Sequence, residues 1–218
     1  MRTSTLKAAA VVAVALLSPP AALVFDTGCA ASDASDESKT GAAFATSLDA
    51  ARFSDSDELL RPANLDEWMF LGASLGMGYN NVDFDPKSPG NFQVVLMEPS
   101  AYAYFKTNGR YANGSMFLLS FYRTEQRISI DRAGFVQGEL KNFEIHLLDR
   151  SRFAEGHAFY LFGPKDDKGA VLPPGSPCVE CHVRDGAFDG TFAQFYPAIR
   201  HRIPVDLLNK SRDEGVQR

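Results

Sequence analysis

The chain has 218 residues, of which 45% are hydrophobic and 11% aromatic, and these proportions suit one globular domain with a substantial core. Its formal net charge at pH 7 is −5 and no basic stripe runs along it, which argues against nucleic acid as a partner.

The N-terminus has the pattern of an export signal. Arg2 and Lys7 precede an apolar run, Ala8–Leu17, that is too short to span a bilayer. We therefore predict an export signal over residues 1–29 and a periplasmic or otherwise exported protein. Thr27-Gly28-Cys29 resembles the end of a lipoprotein signal, which would make Cys29 a lipidated membrane tether. Ordinary cleavage nearby is the alternative.

The remaining chain is expected to hold a single folded domain. Residues 30–46 are mostly small and polar, which predicts a disordered linker. The domain itself is expected over residues 47–205, followed by a C-terminal tail at residues 206–218.

The hydrophobic pattern predicts an α+β fold, with an antiparallel sheet of about five strands and flanking helices. The five strands are expected at residues 69–75, 92–97, 115–123, 135–148 and 157–162. The alternative for residues 135–148 is two strands with a bend near Lys141-Asn142. A short helix is expected at residues 100–106, ended by Asn108-Gly109. A C-terminal helix should run from Cys178 to about Tyr196, where Pro197 ends it.

The segment Cys178-Val179-Glu180-Cys181-His182 has the spacing at which c-type haem is attached. The two thiols can add to the two vinyl groups of one haem, and the adjoining histidine can bind iron through a neutral imidazole nitrogen. The pattern predicts one covalent haem c held by Cys178 and Cys181 on the C-terminal helix, with His182 as the metal ligand.

Two other readings of this segment are less consistent with the rest of the chain. A zinc site lacks its second pair of ligands, because the only other cysteine is Cys29. A thioredoxin-like dithiol would normally follow the first strand of a βαβ unit, whereas this one lies near the C-terminus. No methionine follows the segment, since the last one is Met116, and this argues against a class I cytochrome.

Several local motifs together resemble the cytochrome P-460 family, including the related cytochromes c-prime-beta. They include Glu98-Pro99-Ser100-Ala101-Tyr102, the two Asn-Gly pairs at Asn108 and Asn113, and the closing Phe192-Ala193-Gln194-Phe195-Tyr196-Pro197. The resemblance covers roughly residues 58–200. It implies an antiparallel sheet packed over a haem whose iron is bound by the motif histidine on one side only.

The resemblance also implies candidate residues for the open side of the iron. In the P-460 branch a lysine is joined to the haem edge, which goes with hydroxylamine oxidation, and that position falls on Leu119. An arginine position of that branch falls near Gln93, and Glu144 matches an acidic residue of the distal pocket. Strand alternation places Phe117, Leu119 and Phe121 on one face. Ordinary core packing is the alternative for the two phenylalanines, and a solvated strand position is the alternative for Glu144.

These features predict a mono-haem cytochrome with five-coordinate iron that binds nitric oxide or processes small nitrogen oxides. One alternative is an enzyme that oxidises hydroxylamine or nitric oxide, with Glu144 as a proton acceptor and a partner cytochrome as electron acceptor. Another is a simple electron carrier, which needs a strong sixth ligand. His146 is a conceivable ligand, although a surface or satisfied histidine is the more common case. A homodimer is a further expectation.

Overall fold

The computed structural model describes residues 51–78 and 85–208. The predicted export signal, the linker and the candidate tether Cys29 lie outside the described residues, as do residues 209–218 of the predicted tail. Within the described ranges, no helix is both long and apolar enough to cross a bilayer.

The domain is built on one antiparallel sheet with the spatial order β1-β7-β6-β5-β4-β3-β2. The strands are β1 (Leu59–Leu60), β2 (Met69–Leu75), β3 (Phe92–Met97), β4 (Met116–Glu125), β5 (Val136–Leu148), β6 (His157–Phe162) and β7 (Lys168–Val171). The antiparallel sheet is therefore confirmed. The predicted count of about five strands is wrong, because seven are present in the described part of the chain. With few helices beside it, the domain is mostly β rather than α+β.

The two unpredicted strands are short and pair with each other at the edge of the sheet. Leu59 lies opposite Gly169 in a pairing of only two residues. Gly169 carries no side chain because the ring of Phe162 occupies that space, and an added Cβ would lie 2.4 Å from a ring carbon. A strand with so few apolar side chains gives no periodic signal in the sequence.

Helix α1 (Pro99–Asn108) matches the short helix expected from the sequence. Glu98 caps it by accepting hydrogen bonds from the backbone N–H groups of Ser100 and Ala101. Gly109 ends it with a φ of 64°, and its N–H donates to the carbonyl of Phe105. The helix buries Ala101 and Phe105 against the sheet.

Helix α2 (Pro177–Asp185) carries the Cys-x-x-Cys-His segment, but it is shorter than predicted. Ser176 caps its start and Pro177 occupies the first turn, where the missing N–H is not needed. The helix ends at Asp185, with Gly186 as its cap, and not near Tyr196, because the chain then forms a tight turn at residues 188–191. Short 3₁₀ turns follow at Ala193–Phe195 and Arg200–Arg202.

Both faces of the sheet are covered, and each has its own core. One core lies beneath the N-terminal segment and contains Leu59, Trp68, Met116, Leu118, Phe143, Ile145, Leu147, Ala158, Tyr160 and Phe162. The other lies beneath α1 and the C-terminal segment and contains Leu71, Met97, Ala101, Phe105, Tyr111, Phe117, Leu148, Ala193, Ile199 and Ile203. Helix α2 lies on the second face, so the candidate site is formed between α2 and that face.

Candidate haem-binding site

Helix α2 places two thiols and an imidazole on one side of a groove. Cys178 and Cys181 are separated by about one helical turn and therefore project in similar directions. Together with His182 they line a cavity of about 360 Å³, whose opposite wall is formed by Leu119 and Phe121 of β4. The groove thus lies between the Cys-x-x-Cys-His segment and the sheet.

A second, narrower cavity of about 80 Å³ adjoins the first. The two share Leu119, Glu144, His182 and Phe192 as lining residues. The narrower cavity continues across the sheet towards Gln93 on β3. The two cavities are therefore parts of one groove across the second face of the sheet.

The imidazole of His182 is held in a defined orientation. Its Nδ1 lies 2.7 Å from the carbonyl oxygen of Gly190, and because a carbonyl can only accept, Nδ1 carries the proton. The ring packs against Phe159 and Phe192, each with a centroid separation of 4.6 Å. Burial lowers the pKa of His182 to about 4. The imidazole is therefore neutral at neutral pH, and the lone pair of Nε2 is available to a metal.

The carbonyl that binds His182 belongs to a tight turn. Asp189 and Gly190 have φ values of 47° and 67°, the left-handed geometry that favours an Asp-Gly pair in a two-residue turn. Arg150 forms an ion pair with Asp189 at 3.0 Å, and the Tyr111 hydroxyl lies 3.2 Å from Thr191 Oγ1. These contacts hold the turn, and through it the orientation of His182.

The sheet presents its side chains to the groove in three successive rows. The first row contains Phe117, His146 and Phe159, and the His182 ring packs against His146 and Phe159 in it. The second row contains Val95, Leu119 and Glu144. The third contains Gln93 and Phe121. Along the strands away from His182, the groove therefore passes from the aromatic side chains of the first row to the Glu144 carboxyl in the second row and the Gln93 amide in the third.

The structure brings most of the predicted site residues together. Leu119, Phe121 and Glu144 all line the larger cavity with the two cysteines and His182. Phe117 lies one row from Leu119 and is only 4% exposed. It therefore belongs to the core and also to the wall of the narrower cavity. The roles of these side chains towards a haem stay predictions.

Glu144 is a half-buried carboxyl in the groove wall and is not on a solvated strand face. Burial raises its pKa above the ordinary value of 4.5. Burial, followed by the nearby Glu144 carboxylate, also raises the pKa of the Cys178 thiol. The carboxyl is thus disposed to hold a proton in the groove.

A buried histidine pair that the sequence pattern does not indicate lies beside His182. His146 Nε2 lies 3.2 Å from His157 Nδ1, and both rings are buried. Burial, then the neighbouring His182 and His157, lowers the pKa of His146 well below its usual value. Because His146 Nε2 is already bonded to His157, the histidine is a packed and partnered residue beside His182.

Met77 also lines the narrower cavity together with His182, although the sequence pattern does not indicate it. It lies in a Gly-Met-Gly stretch after β2, where no periodic pattern exists to indicate its direction. Gln93, which the resemblance places near an arginine position, lines the groove as well. Strand alternation puts it on the same face as Val95, two residues later. Methionine and glutamine thus add a thioether and an amide to the groove.

The groove fits a haem c by the chemistry of its donor set. Two thiols about one turn apart suit the two vinyl groups of a haem, and the adjacent neutral imidazole has its Nδ1 satisfied and its Nε2 free to bind iron. The remaining wall is largely apolar and aromatic, as a porphyrin face requires.

A comparison with protein families agrees with this chemistry, whereas a search of curated proteins returned no match. The sequence profile of the family described as Cytochrome P460 matches residues 62–193, which is more than half of the chain and extends from just before β2 into the segment after α2. The chain therefore belongs to the Cytochrome P460 family, and this membership identifies it as a haem-binding cytochrome.

Proposed function

We propose that this protein is an exported mono-haem c-type cytochrome whose five-coordinate iron binds nitric oxide or processes small nitrogen oxides. The observation that carries the proposal is the neutral imidazole of His182, fixed by the Gly190 carbonyl beside two thiols and facing a groove with a largely apolar wall.

Five residues of the groove have a defined part in this proposal. Cys178 and Cys181 hold the haem covalently and His182 binds its iron on one side. Leu119 and Phe121 line the groove beyond, where they exclude water and admit small uncharged molecules. When bound, the haem supplies an iron that takes up a small ligand and changes oxidation state.

Covalent attachment is tested by extraction with acidified acetone, using protein produced with the haem c assembly machinery. The haem should stay with the wild-type chain, and it should become extractable when Cys178 and Cys181 are both replaced by alanine. Haem that leaves the wild-type chain freely would contradict c-type attachment.

The coordination state is tested by optical spectroscopy of the ferric and ferrous protein. A high-spin spectrum that changes on addition of nitric oxide is expected, and His182→Ala should abolish the native spectrum. A low-spin, six-coordinate spectrum that resists nitric oxide would instead favour an electron carrier.

A second candidate function is oxidation of hydroxylamine or nitric oxide, with electrons passed to a partner cytochrome. The half-buried Glu144 favours it, because a carboxyl with a raised pKa can exchange protons with a substrate in the groove. Steady-state turnover of hydroxylamine with an artificial electron acceptor tests it. Turnover that is lost in Glu144→Gln would support the enzyme, and absence of turnover in the wild type would leave ligand binding as the function.

A further inference from the structure

Gln93 is a buried amide in the wall of the groove. Its side chain is only 7% exposed, it lies on the groove face of β3, and it lines the same cavity as His182. A buried polar side chain on a largely apolar wall needs hydrogen-bond partners. Ser74 supplies one, because its hydroxyl donates to Gln93 Oε1 at 2.8 Å.

The second partner fixes which end of the amide faces which way. Gln93 Nε2 lies 3.4 Å from the carbonyl oxygen of Met77, and a carbonyl can only accept, so the nitrogen must be on that side. This bond is long and therefore weak. An amide nitrogen carries two N–H groups, and the contacts within the described residues engage one of them. The amide is thus anchored through its oxygen and retains a donor.

The rows of the sheet place this donor beyond Leu119 as seen from His182. The His182 ring packs against His146 and Phe159 in the first row, whereas Gln93 lies in the third. Successive rows are separated by two residues, or roughly 7 Å along a strand. Gln93 and Phe121 therefore lie two rows beyond the side chains that contact His182, at the end of the groove away from that histidine.

We infer that Gln93 donates a hydrogen bond to the small ligand held opposite His182, and that Ser74 orients the amide for this contact. The inference rests on the proposed function. It specifies the ligand class as an uncharged nitrogen oxide with an oxygen that accepts a hydrogen bond. A neutral amide stabilises such an oxygen without attracting anions into the groove, where Glu144 would oppose them when it is ionised.

Carbon monoxide bound to the ferrous haem protein is a direct probe of this donor. A hydrogen bond to the distant oxygen weakens the C–O bond, so its infrared stretching frequency reports on a nearby N–H. Gln93→Leu and the unbranched Gln93→Met remove the donor, and both should move the band to higher frequency. Gln137→Leu is the matched control, because Gln137 is exposed near the far end of β5. It should leave the band in place.

Nitric oxide release gives an independent readout. Loss of one hydrogen bond should accelerate release from Gln93→Met by about 2- to 10-fold. Ser74→Ala should broaden or split the C–O band, because the amide loses the anchor on its oxygen. The far-ultraviolet circular dichroism of each variant reports whether the sheet is intact.

The outcomes separate this inference from the proposed function. A shift in both Gln93 variants, with none in Gln137→Leu, supports the donor. An unchanged band and an unchanged release rate in the Gln93 variants would overturn the inference while the haem still binds the diatomics. A wild-type protein that binds neither carbon monoxide nor nitric oxide would overturn the proposed function, and the inference with it.

Discussion

The Nδ1 atom of His182 lies 2.7 Å from the carbonyl oxygen of Gly190, in the turn that follows α2. This bond fixes the tautomer of the imidazole and directs Nε2 into the groove. Gly190 is also in close contact with the ring of His157, because a Cβ added to it would lie 2.6 Å from His157 Cε1. The orientation of His182 therefore depends on a backbone position that has no room for a side chain.

Gly190→Ala should disturb this orientation. The alanine must adopt a φ of 67° and must push against the His157 ring, so the Gly190 carbonyl has to move. We expect a lower free energy of unfolding and an altered spectrum of the haem-loaded protein. Urea unfolding and the optical spectrum measure the two effects.

Gly109→Ala is the matched control for that substitution. Gly109 has nearly the same φ, 64°, but no atom lies within 4 Å of an added Cβ. Backbone strain in Gly109→Ala should lower the free energy of unfolding by about 1 kcal/mol, and this variant should retain the native spectrum. If the two variants lost equal stability and both kept the native spectrum, the turn would have no special part in holding His182.

Glu144→Gln should change how stability depends on pH. Burial raises the pKa of Glu144 above 4.5, so the folded chain keeps this proton at pH values where the unfolded chain has lost it. Stability contributed by this group therefore falls as the pH rises from about 4.5 through the raised value. Glu144→Gln removes that decline. Urea unfolding of the haem-loaded protein across this range measures it.

The matched control for Glu144 lies on the same strand. Glu139 of β5 pairs with Arg123, and its side chain is 77% exposed. Glu139→Gln should leave the pH profile of stability and the pH profile of nitric oxide binding as in the wild type. If Glu144→Gln also left both profiles unchanged, Glu144 would have no role as a proton-carrying group in the groove.

Met77→Leu tests the electron-carrier alternative. Met77 lines the same narrow cavity as His182, and a thioether is a sixth ligand in many electron-transfer cytochromes. For five-coordinate iron, Met77→Leu should leave the ferric and ferrous spectra unchanged. A conversion from a low-spin to a high-spin spectrum on this substitution would identify Met77 as a ligand and favour the carrier.

The sequence predicted three of the strands because most of their residues are hydrophobic. The stretches at 69–75, 92–97 and 157–162 coincide with strands β2, β3 and β6. The prediction failed at the other edge of the sheet, where β1 has two residues and its neighbour β7 depends on Gly169 fitting beneath Phe162. Such strands form because tertiary contacts favour them, and these contacts leave no local pattern.

The sequence contains a turn signal a few residues after the end of α2. Asp189-Gly190 is a strong signal for a two-residue turn, yet the helix predicted from the sequence runs through it to Tyr196. The partner of His182 is a backbone carbonyl, which no side-chain motif can indicate. The pairing of His146 with His157 likewise depends on the register between β5 and β6.

The last prediction concerns the number of covalent bonds to the haem. A third bond would need a nucleophilic side chain at the porphyrin edge, and the second row of the sheet offers Leu119 there, between Val95 and Glu144. Lys141 is the remaining candidate on β5, but its Nζ donates to Asn91 Oδ1 at 3.1 Å, and it does not line the groove. Mass spectrometry of a tryptic digest should therefore find haem peptides linked through Cys178 and Cys181 alone.

Leu119→Lys provides the positive counterpart of this measurement. It places an amine on the groove face of β4, at the position that the resemblance assigns to the lysine of the P-460 branch. Forming a C–N bond to the porphyrin removes two hydrogens and two electrons, so with peroxide added as the oxidant a fraction of the haem should acquire a third link through residue 119. Phe121→Lys, two residues further along the same face, is the control for a lysine at a different position in the groove wall. A wild-type digest with haem linked through Lys141 would instead place the protein in the hydroxylamine-oxidising branch. In that case hydroxylamine turnover should be strong in the wild type and should fall in Lys141→Arg. If the haem is linked through Cys178 and Cys181 alone, we expect weak hydroxylamine turnover and ready binding of nitric oxide.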